Sequence, residues 1–128
     1  MDAQADIIVP VYNERDNLPL LLERLRALPG FPAYHLVFVD NASTDGSAEF
    51  LAALPDVTLV RHERNRGYGA SLRSGMQAAR TDRFVIIDAD CEYPPECIPQ
   101  LLAALAEHNV SYSSRLLGKK TAADAGML

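Results

Sequence analysis

A chain of 128 residues, 48% of them hydrophobic and 23% charged, has the length and composition of one globular domain. Its formal net charge of -5 excludes a broad phosphate-binding face of the kind that holds nucleic acid, so a phosphate ligand would need a cation beside it. No segment approaches the ~20 apolar residues of a membrane span, and no basic start leads into an apolar signal region, so a soluble, cytoplasmic chain is expected.

Short β-branched runs alternate with helical patterns along the chain. Ile7-Ile8-Val9 opens a strand that Pro10 is expected to end, and Leu18, Leu21, Leu22, Leu25 and Leu28 then recur at helical spacing up to Pro29-Gly30. Asp16 or Asn17 is placed to cap this helix, which leaves Pro19 in the first turn, where its missing N–H is harmless. Leu36 to Val39 reads as a second strand, and the turn-rich Asp40 to Ser47 leads to a short helix through Phe50, Leu51 and Leu54. Val57 to Val60 supplies a third strand, Gly67-Tyr68-Gly69 enters a helix with Leu72, Met76 and Ala79 inward, and Phe84 to Ile87 is a fourth strand.

Pro94-Pro95 delays the next helix to about Cys97 or Ile98, because Pro99 is acceptable only in a first turn; Ile98, Leu101, Leu102 and Leu105 form its apolar stripe. Val110 to Ser113 is a candidate fifth strand. Such alternation predicts an α/β fold of three layers, α/β/α, around a mostly parallel sheet with right-handed crossovers. Residues 1–118 are expected to form the domain, and Lys119 to Leu128, which lack a pattern, a tail. Cys91 and Cys97 match neither a common zinc spacing nor a redox C-x-x-C and are expected to be free thiols.

Every cluster that could carry chemistry follows a strand, on the edge where open α/β sheets bind ligands. After the first strand, Tyr12, Asn13 and Glu14 offer a ring, an amide and a carboxylate for a nucleobase or ribose, with helix capping by Asn13 as the plainer role. After the second, Asp40 can accept from a base N–H, whereas Ser43 to Ser47 reads better as an ordinary turn and cap series. After the third, Asn65-Arg66-Gly67-Tyr68-Gly69 brings positive charge and two glycines to a helix N-terminus, which suits phosphate or sugar oxygens. Arg66 and Arg73 read equally as solvated charges beside the helix, and Arg64 reads better that way. A dinucleotide fingerprint is excluded because Leu72 occupies its third glycine position.

After the fourth strand comes Asp88-Ala89-Asp90. In an extended segment these carboxylates share a face and can converge on one divalent cation, with Glu92 at the same parity. On its own the tripeptide is weak evidence, since D-x-D recurs by chance and a solvated strand-to-loop corner is the bland alternative.

In order along the chain, residues 7–14 (IIVPVYNE), 39–47 (VDNASTDGS), 65–69 (NRGYG) and 88–90 (DAD) together resemble the family 2 glycosyltransferases, across roughly residues 6–118. Residues 88–96 look particularly like those of the polyprenyl-phosphate sugar synthases. The resemblance implies a GT-A fold that binds a UDP-, GDP- or dTDP-sugar, with Mg²⁺ or Mn²⁺ held by Asp88 and Asp90, and with Glu92 where relatives often have a metal-facing glutamine. It places Pro10, Tyr12, Asn13, Glu14 and Asp40 at the nucleoside, and Asn65, Gly69 and Arg73 at the phosphate or sugar. Arg115 joins them because Ser113-Ser114-Arg115 resembles a G-S-R stretch. Asn41 stands where many members have a second aspartate, and Ser113 replaces the usual glycine.

The implied chemistry is inverting transfer to a polyprenyl-phosphate or glycan acceptor, with Asp88 and Asp90 central to catalysis, at the cytoplasmic membrane face where the acceptor is a lipid. Relatives carry their acceptor half in the stretch that would follow, so a donor-binding part is expected. The alternative is a nucleotide-sugar-binding module, or pseudoenzyme, without turnover. An incomplete sheet with an open edge also leads to the expectation of a homo-oligomer.

Overall fold

The computed structural model describes residues 4–92, 94–107, 110–112 and 116–119, with backbone alone for 32, 105–107, 110–112 and 116–119. In chain order it forms β1 (Ala5–Val11), α1 (Leu18–Arg26), β2 (Tyr34–Asp40), α2 (Ser47–Ala52) and β3 (Val57–Arg61), then α3 (Tyr68–Ala78), β4 (Arg83–Ile86), α4 (Ile98–Glu107), β5 (Val110–Tyr112) and β6 (Leu116–Lys119). Single 3-10 turns lie at Phe31–Ala33 and Pro95–Cys97. The expected strands and helices are present, and β6 is an addition. Its four residues include Gly118 and are too few to show a period. Ser113, Arg115 and residues 120–128 lie outside the described residues.

The sheet order is β3-β2-β1-β4-β6-β5. β1, β2, β3 and β4 pair in parallel, while β6 runs antiparallel to both β4 and β5. Both faces of the parallel part are buried, as continuous apolar strands require. On one face Ile7, Val9 and Val11 pack with Leu21, Leu22 and Leu25 of α1, Leu51 of α2, and Ile98 and Leu102 of α4. On the other, Ile8, Val37, Val39 and Ile86 pack with Leu72 and Met76 of α3. The predicted three-layer α/β/α architecture is what forms.

β1 and α1 differ in detail from expectation. β1 runs through Pro10 to Val11. Ile8 accepts from Ile87 on the β4 side and Val11 accepts from Asn41 on the β2 side, so the nitrogen of Pro10 faces β4. The β1–β4 register has already stopped at Ile8 and Ile86, and the missing N–H therefore breaks no ladder. Asn17 occupies the N-cap of α1 without a side-chain cap, because its amide donates to Glu14 Oε2 at 2.6 Å. The helix closes at Arg26, with Pro19 in its first turn as anticipated.

Candidate functional site

The strand order reverses between β1 and β4, and the two strands part beyond Ile8 and Ile86. This is the switch point at which open α/β sheets form a ligand crevice. A cleft of about 350 Å³ opens there, lined by Pro10, Val11, Tyr12 and Glu14 after β1, Asn41 after β2, Asn65, Gly67, Tyr68 and Ser71 around the start of α3, and Asp88, Ala89 and Asp90 after β4. All four loops contribute.

Glu14, Asp88 and Asp90 make the cleft acidic, and no Lys or Arg is among its described lining residues. Asp88 Oδ1 accepts from the Tyr68 hydroxyl at 3.4 Å. Asp90 Oδ1 accepts the backbone N–H of Glu92 at 2.9 Å, an Asx turn that fixes the carboxylate. Tyr12 and Tyr68 stand half exposed, 50% and 52%, and add aromatic surface. Gly67 has φ 89 and ψ 166, a combination that favours glycine where the wall bends into α3.

The first two loops are stitched together by hydrogen bonds. Asn13 N–H donates to Ser43 Oγ at 2.9 Å, Glu14 N–H to Ser47 Oγ at 3.1 Å, Arg15 N–H to Asp45 Oδ2 at 3.0 Å, and Thr44 N–H to Asn13 Oδ1 at 2.7 Å. The Ser43 to Ser47 segment is a turn, as expected, but the N-cap of α2 is Gly46 without a side-chain cap, and the two serine hydroxyls accept from the first loop instead. Burial raises the Asp45 pKa, but hydrogen bonds from the Ser47 hydroxyl and from the backbone N–H groups of Arg15 and Ser47 outweigh it and hold the carboxyl below its ordinary range.

The segment after Asp90 is pinned to α1 by a bidentate pair, Arg24 Nε to Glu96 Oε2 at 3.0 Å and Arg24 Nη2 to Glu96 Oε1. That hydrogen bond, opposed by partial burial, keeps Glu96 below the usual carboxylate range. Cys91 and Cys97 are free, as expected. Burial pushes the Cys91 thiol up, opposed by the nearby Arg24.

Several expected residues do not line the cleft. Asn13 adopts φ 54 and turns its amide to Thr44. Asp40 lines a second pocket, of about 430 Å³, with Ala42, Ser43, Thr44, Arg61, His62 and Glu63. Its Oδ2 accepts from Ser43 N–H, and its buried Oδ1 has no partner among the described residues. Gly69 and Arg73 of α3 are not among the lining residues, and a Cβ on Gly69 would stand 3.5 Å from the Arg73 guanidinium. Glu92 is hydrogen-bonded to Asp90 through its backbone N–H but is not among the cleft-lining residues; β4 ends at Ile86 and Cys91 takes φ 60, so strand alternation does not extend to it. No group of three His, Cys, Asp or Glu among the described residues is placed to hold a metal ion. The missed residues include Tyr68 and Ser71, which share a helix face at i and i+3, and Asn41, whose departure from the family pattern was the available signal.

Residues 6–121 match the family described as Glycosyl transferase family 2. An undecaprenyl-phosphate 4-deoxy-4-formamido-L-arabinose transferase of Yersinia enterocolitica is 35% identical over 111 residues, covering 81% of this chain and 34% of the relative. A dolichol-phosphate mannosyltransferase of Pyrococcus furiosus is 37% identical over 106 residues, covering 80% and 30%. Among solved structures, a Pyrobaculum calidifontis mannosyltransferase in complex with GDP-Man and Mn²⁺ superposes with a TM-score of 0.71 at 28% identity, covering 86% of this chain and 34% of that one. S. aureus TarS in complex with UDP-GlcNAc gives 0.67 at 24%, a likeness of fold alone. The chain therefore spans about a third of the length of the relatives it matches. Its α/β architecture is the GT-A fold, and the chain belongs to glycosyl transferase family 2.

Proposed function

We propose that the cleft binds the nucleoside diphosphate of a sugar donor together with Mg²⁺ or Mn²⁺, as the donor site of an inverting transfer to a polyprenyl-phosphate or glycan acceptor. The observation that carries this reading is that Asp88 and Asp90 both line an acidic cleft with no Lys or Arg among its described lining residues. A diphosphate entering it alone meets three carboxylates and is repelled. Hard cations of this kind need only one or two protein carboxylates when substrate phosphates complete the shell, so two aspartates fit the ion without a third ligand. When bound, the ion would neutralise the charge that develops on the departing diphosphate.

The protein's own groups do the rest. Tyr12 and Tyr68 offer stacking surface to a base. Glu14 is held by Asn17 and by the stitched loops, ready to accept from ribose hydroxyls. Asn65 and Gly67 border the diphosphate. In the transfer, an acceptor oxygen attacks the anomeric carbon and the bond from that carbon to the diphosphate oxygen breaks, with inversion. A phosphate acceptor is already ionised and asks for no general base.

The names of the Yersinia and Pyrococcus relatives support a polyprenyl-phosphate acceptor. No described helix is long and apolar enough to cross a membrane, so a lipid acceptor would be met at the membrane surface. A second reading, donor binding without turnover, requires only the cleft described above. Calorimetry with UDP-, GDP- and dTDP-sugars, with and without Mn²⁺, followed by transfer of labelled sugar to a polyprenyl phosphate, tests both. Metal-dependent binding with transfer supports the first reading, binding alone supports the second, and no binding overturns both.

A further inference from the structure

We propose that His62 is a positioning residue for the cleft: as a neutral imidazole protonated at Nδ1, it holds the Asn41 amide and with it the Asn65–Gly67 wall, so that ligand binding weakens when His62 takes up a proton. The inference rests on the donor-site reading for its ligand, though not for its geometry.

The polarity of this cluster is fixed by groups that can only donate. The backbone N–H of Arg66 donates to Asn41 Oδ1 at 2.9 Å, which identifies that atom as the amide oxygen. His62 Nδ1 lies 2.9 Å from the same oxygen and must therefore carry the proton. Its Nε2, 2.8 Å from Ser74 Oγ, is left to accept the serine hydroxyl. Asn65 Oδ1 is identified in the same way, since Gly67 N–H donates to it at 2.9 Å, and Asn41 Nδ2 donates to it at 2.9 Å. Asn41 thus spends its oxygen on two donors and one amide hydrogen on Asn65, all within the protein. Asn41, Asn65 and Gly67 are cleft-lining residues, while His62 and Ser74 stand behind them.

His62 is 8% exposed, and its surroundings suit a neutral ring. On the β2 side it faces Asp40, and on the loop after β3 it faces Arg66. From α3 it meets the uncharged Ser74, and on its own segment Arg61 and Glu63 are exposed. Burial first, and then the charge of Arg66, lowers the His62 pKa below its ordinary value, with Asp40 opposing. A proton on Nε2 turns an acceptor into a donor facing Ser74, reverses that hydroxyl, and sets a buried cation beside Arg66 in the cleft wall. The sign follows from the depressed folded-state value. In the folded protein the neutral cluster persists below the ordinary histidine value of about 6.5 and is lost as the pH falls through the lower folded-state value.

The test compares the wild type with His62→Gln, whose amide can donate to Asn41 and accept from Ser74 without titrating. UDP and GDP, each with Mn²⁺, are titrated calorimetrically from about pH 7.5 down to about pH 4.5, a range that starts above the usual histidine transition and extends well below it to reach a depressed one. Wild-type affinity is expected to fall roughly three- to tenfold further than that of His62→Gln, the effect of one weakened hydrogen-bonded contact. Equal pH dependence in the two proteins overturns the proposal. NMR of the wild type needs neither variant nor ligand. The Asn41 side-chain amide and the Arg66 and Gly67 backbone amides are expected to shift with the His62 titration; resonances that stay still overturn it. If neither nucleotide binds at any pH while these amides shift, the donor-site reading fails and the positioning role of His62 stands.

Discussion

Gly75 of α3 lies against Ile8 of β1 so closely that a Cβ at Gly75 would overlap Ile8 Cγ2 and come within 3.3 Å of Val39 Cγ2. The absent side chain lets α3 seat on the sheet directly beneath the switch point, and its N-terminal turn supplies Tyr68 and Ser71 to the cleft. Gly75→Ala must push the helix away or force Ile8 off its rotamer. A loss of about 1–3 kcal/mol is expected in urea unfolding, despite the better helix propensity of alanine. An unchanged or raised midpoint would show that the contact relaxes freely.

Asp6 is fully buried at the opposite edge of the sheet. It accepts from the backbone N–H groups of Arg80 and Thr81 at 3.0 and 2.9 Å and from the Thr81 hydroxyl at 2.6 Å, and it pairs with His35 Nδ1 at 2.6 Å. His35 continues to Thr58, so one carboxylate ties β1, β2, β3 and the turn before β4. Asp6→Ala strands several buried donors and is expected to cost about 3–5 kcal/mol of stability, read by denaturant unfolding.

The seam between the first two loops is acid-sensitive. The Asp45 carboxyl is held below its ordinary range in the folded state, so its contribution is present above the unfolded value near pH 4 and is lost as the pH falls through the folded one. Below about pH 4, amide exchange at Arg15 and Ser47 is expected to quicken before global unfolding, and Asp45→Asn should remove that pH dependence. Exchange that stays slow to the unfolding transition would contradict the assignment.

Asn41→Asp keeps an acceptor for Arg66 and His62 but removes the donor to Asn65 and sets a carboxylate against the imidazole. An opposite charge favours the protonated ring, so the His62 titration midpoint by NMR should move upward from its wild-type position. A midpoint that does not move would mean that the ring and residue 41 are not in contact.

The parallel core and the four converging loops were legible in the sequence because β-branched runs, helical leucine spacing and strand-end motifs are local patterns. The D-x-D spacing places Asp88 and Asp90 at the cleft, while Glu92 is not among its lining residues, and the positive φ of Cys91 between them is invisible to a strand-parity argument. Asn13 and Asp40 illustrate the harder case. Asn13 spends its side-chain oxygen on Thr44, and Asp40 gives one oxygen to Ser43 in a neighbouring pocket, tertiary arrangements that no local pattern announces. Asn41 was read only as a departure from a family pattern, since nothing local announces that a buried amide will join His62, Asn65 and Arg66. β6 escaped because four residues give too short a run for periodicity.

The most direct test is metal-dependent binding at Asp90. Calorimetry of the wild type and of folded Asp90→Ala with a UDP- or GDP-sugar, with and without Mn²⁺, should show that wild-type binding requires the ion. Removing one of only two carboxylate ligands is expected to weaken that binding by roughly tenfold or more. Binding to Asp90→Ala with wild-type affinity, or wild-type binding indifferent to Mn²⁺, would contradict the account.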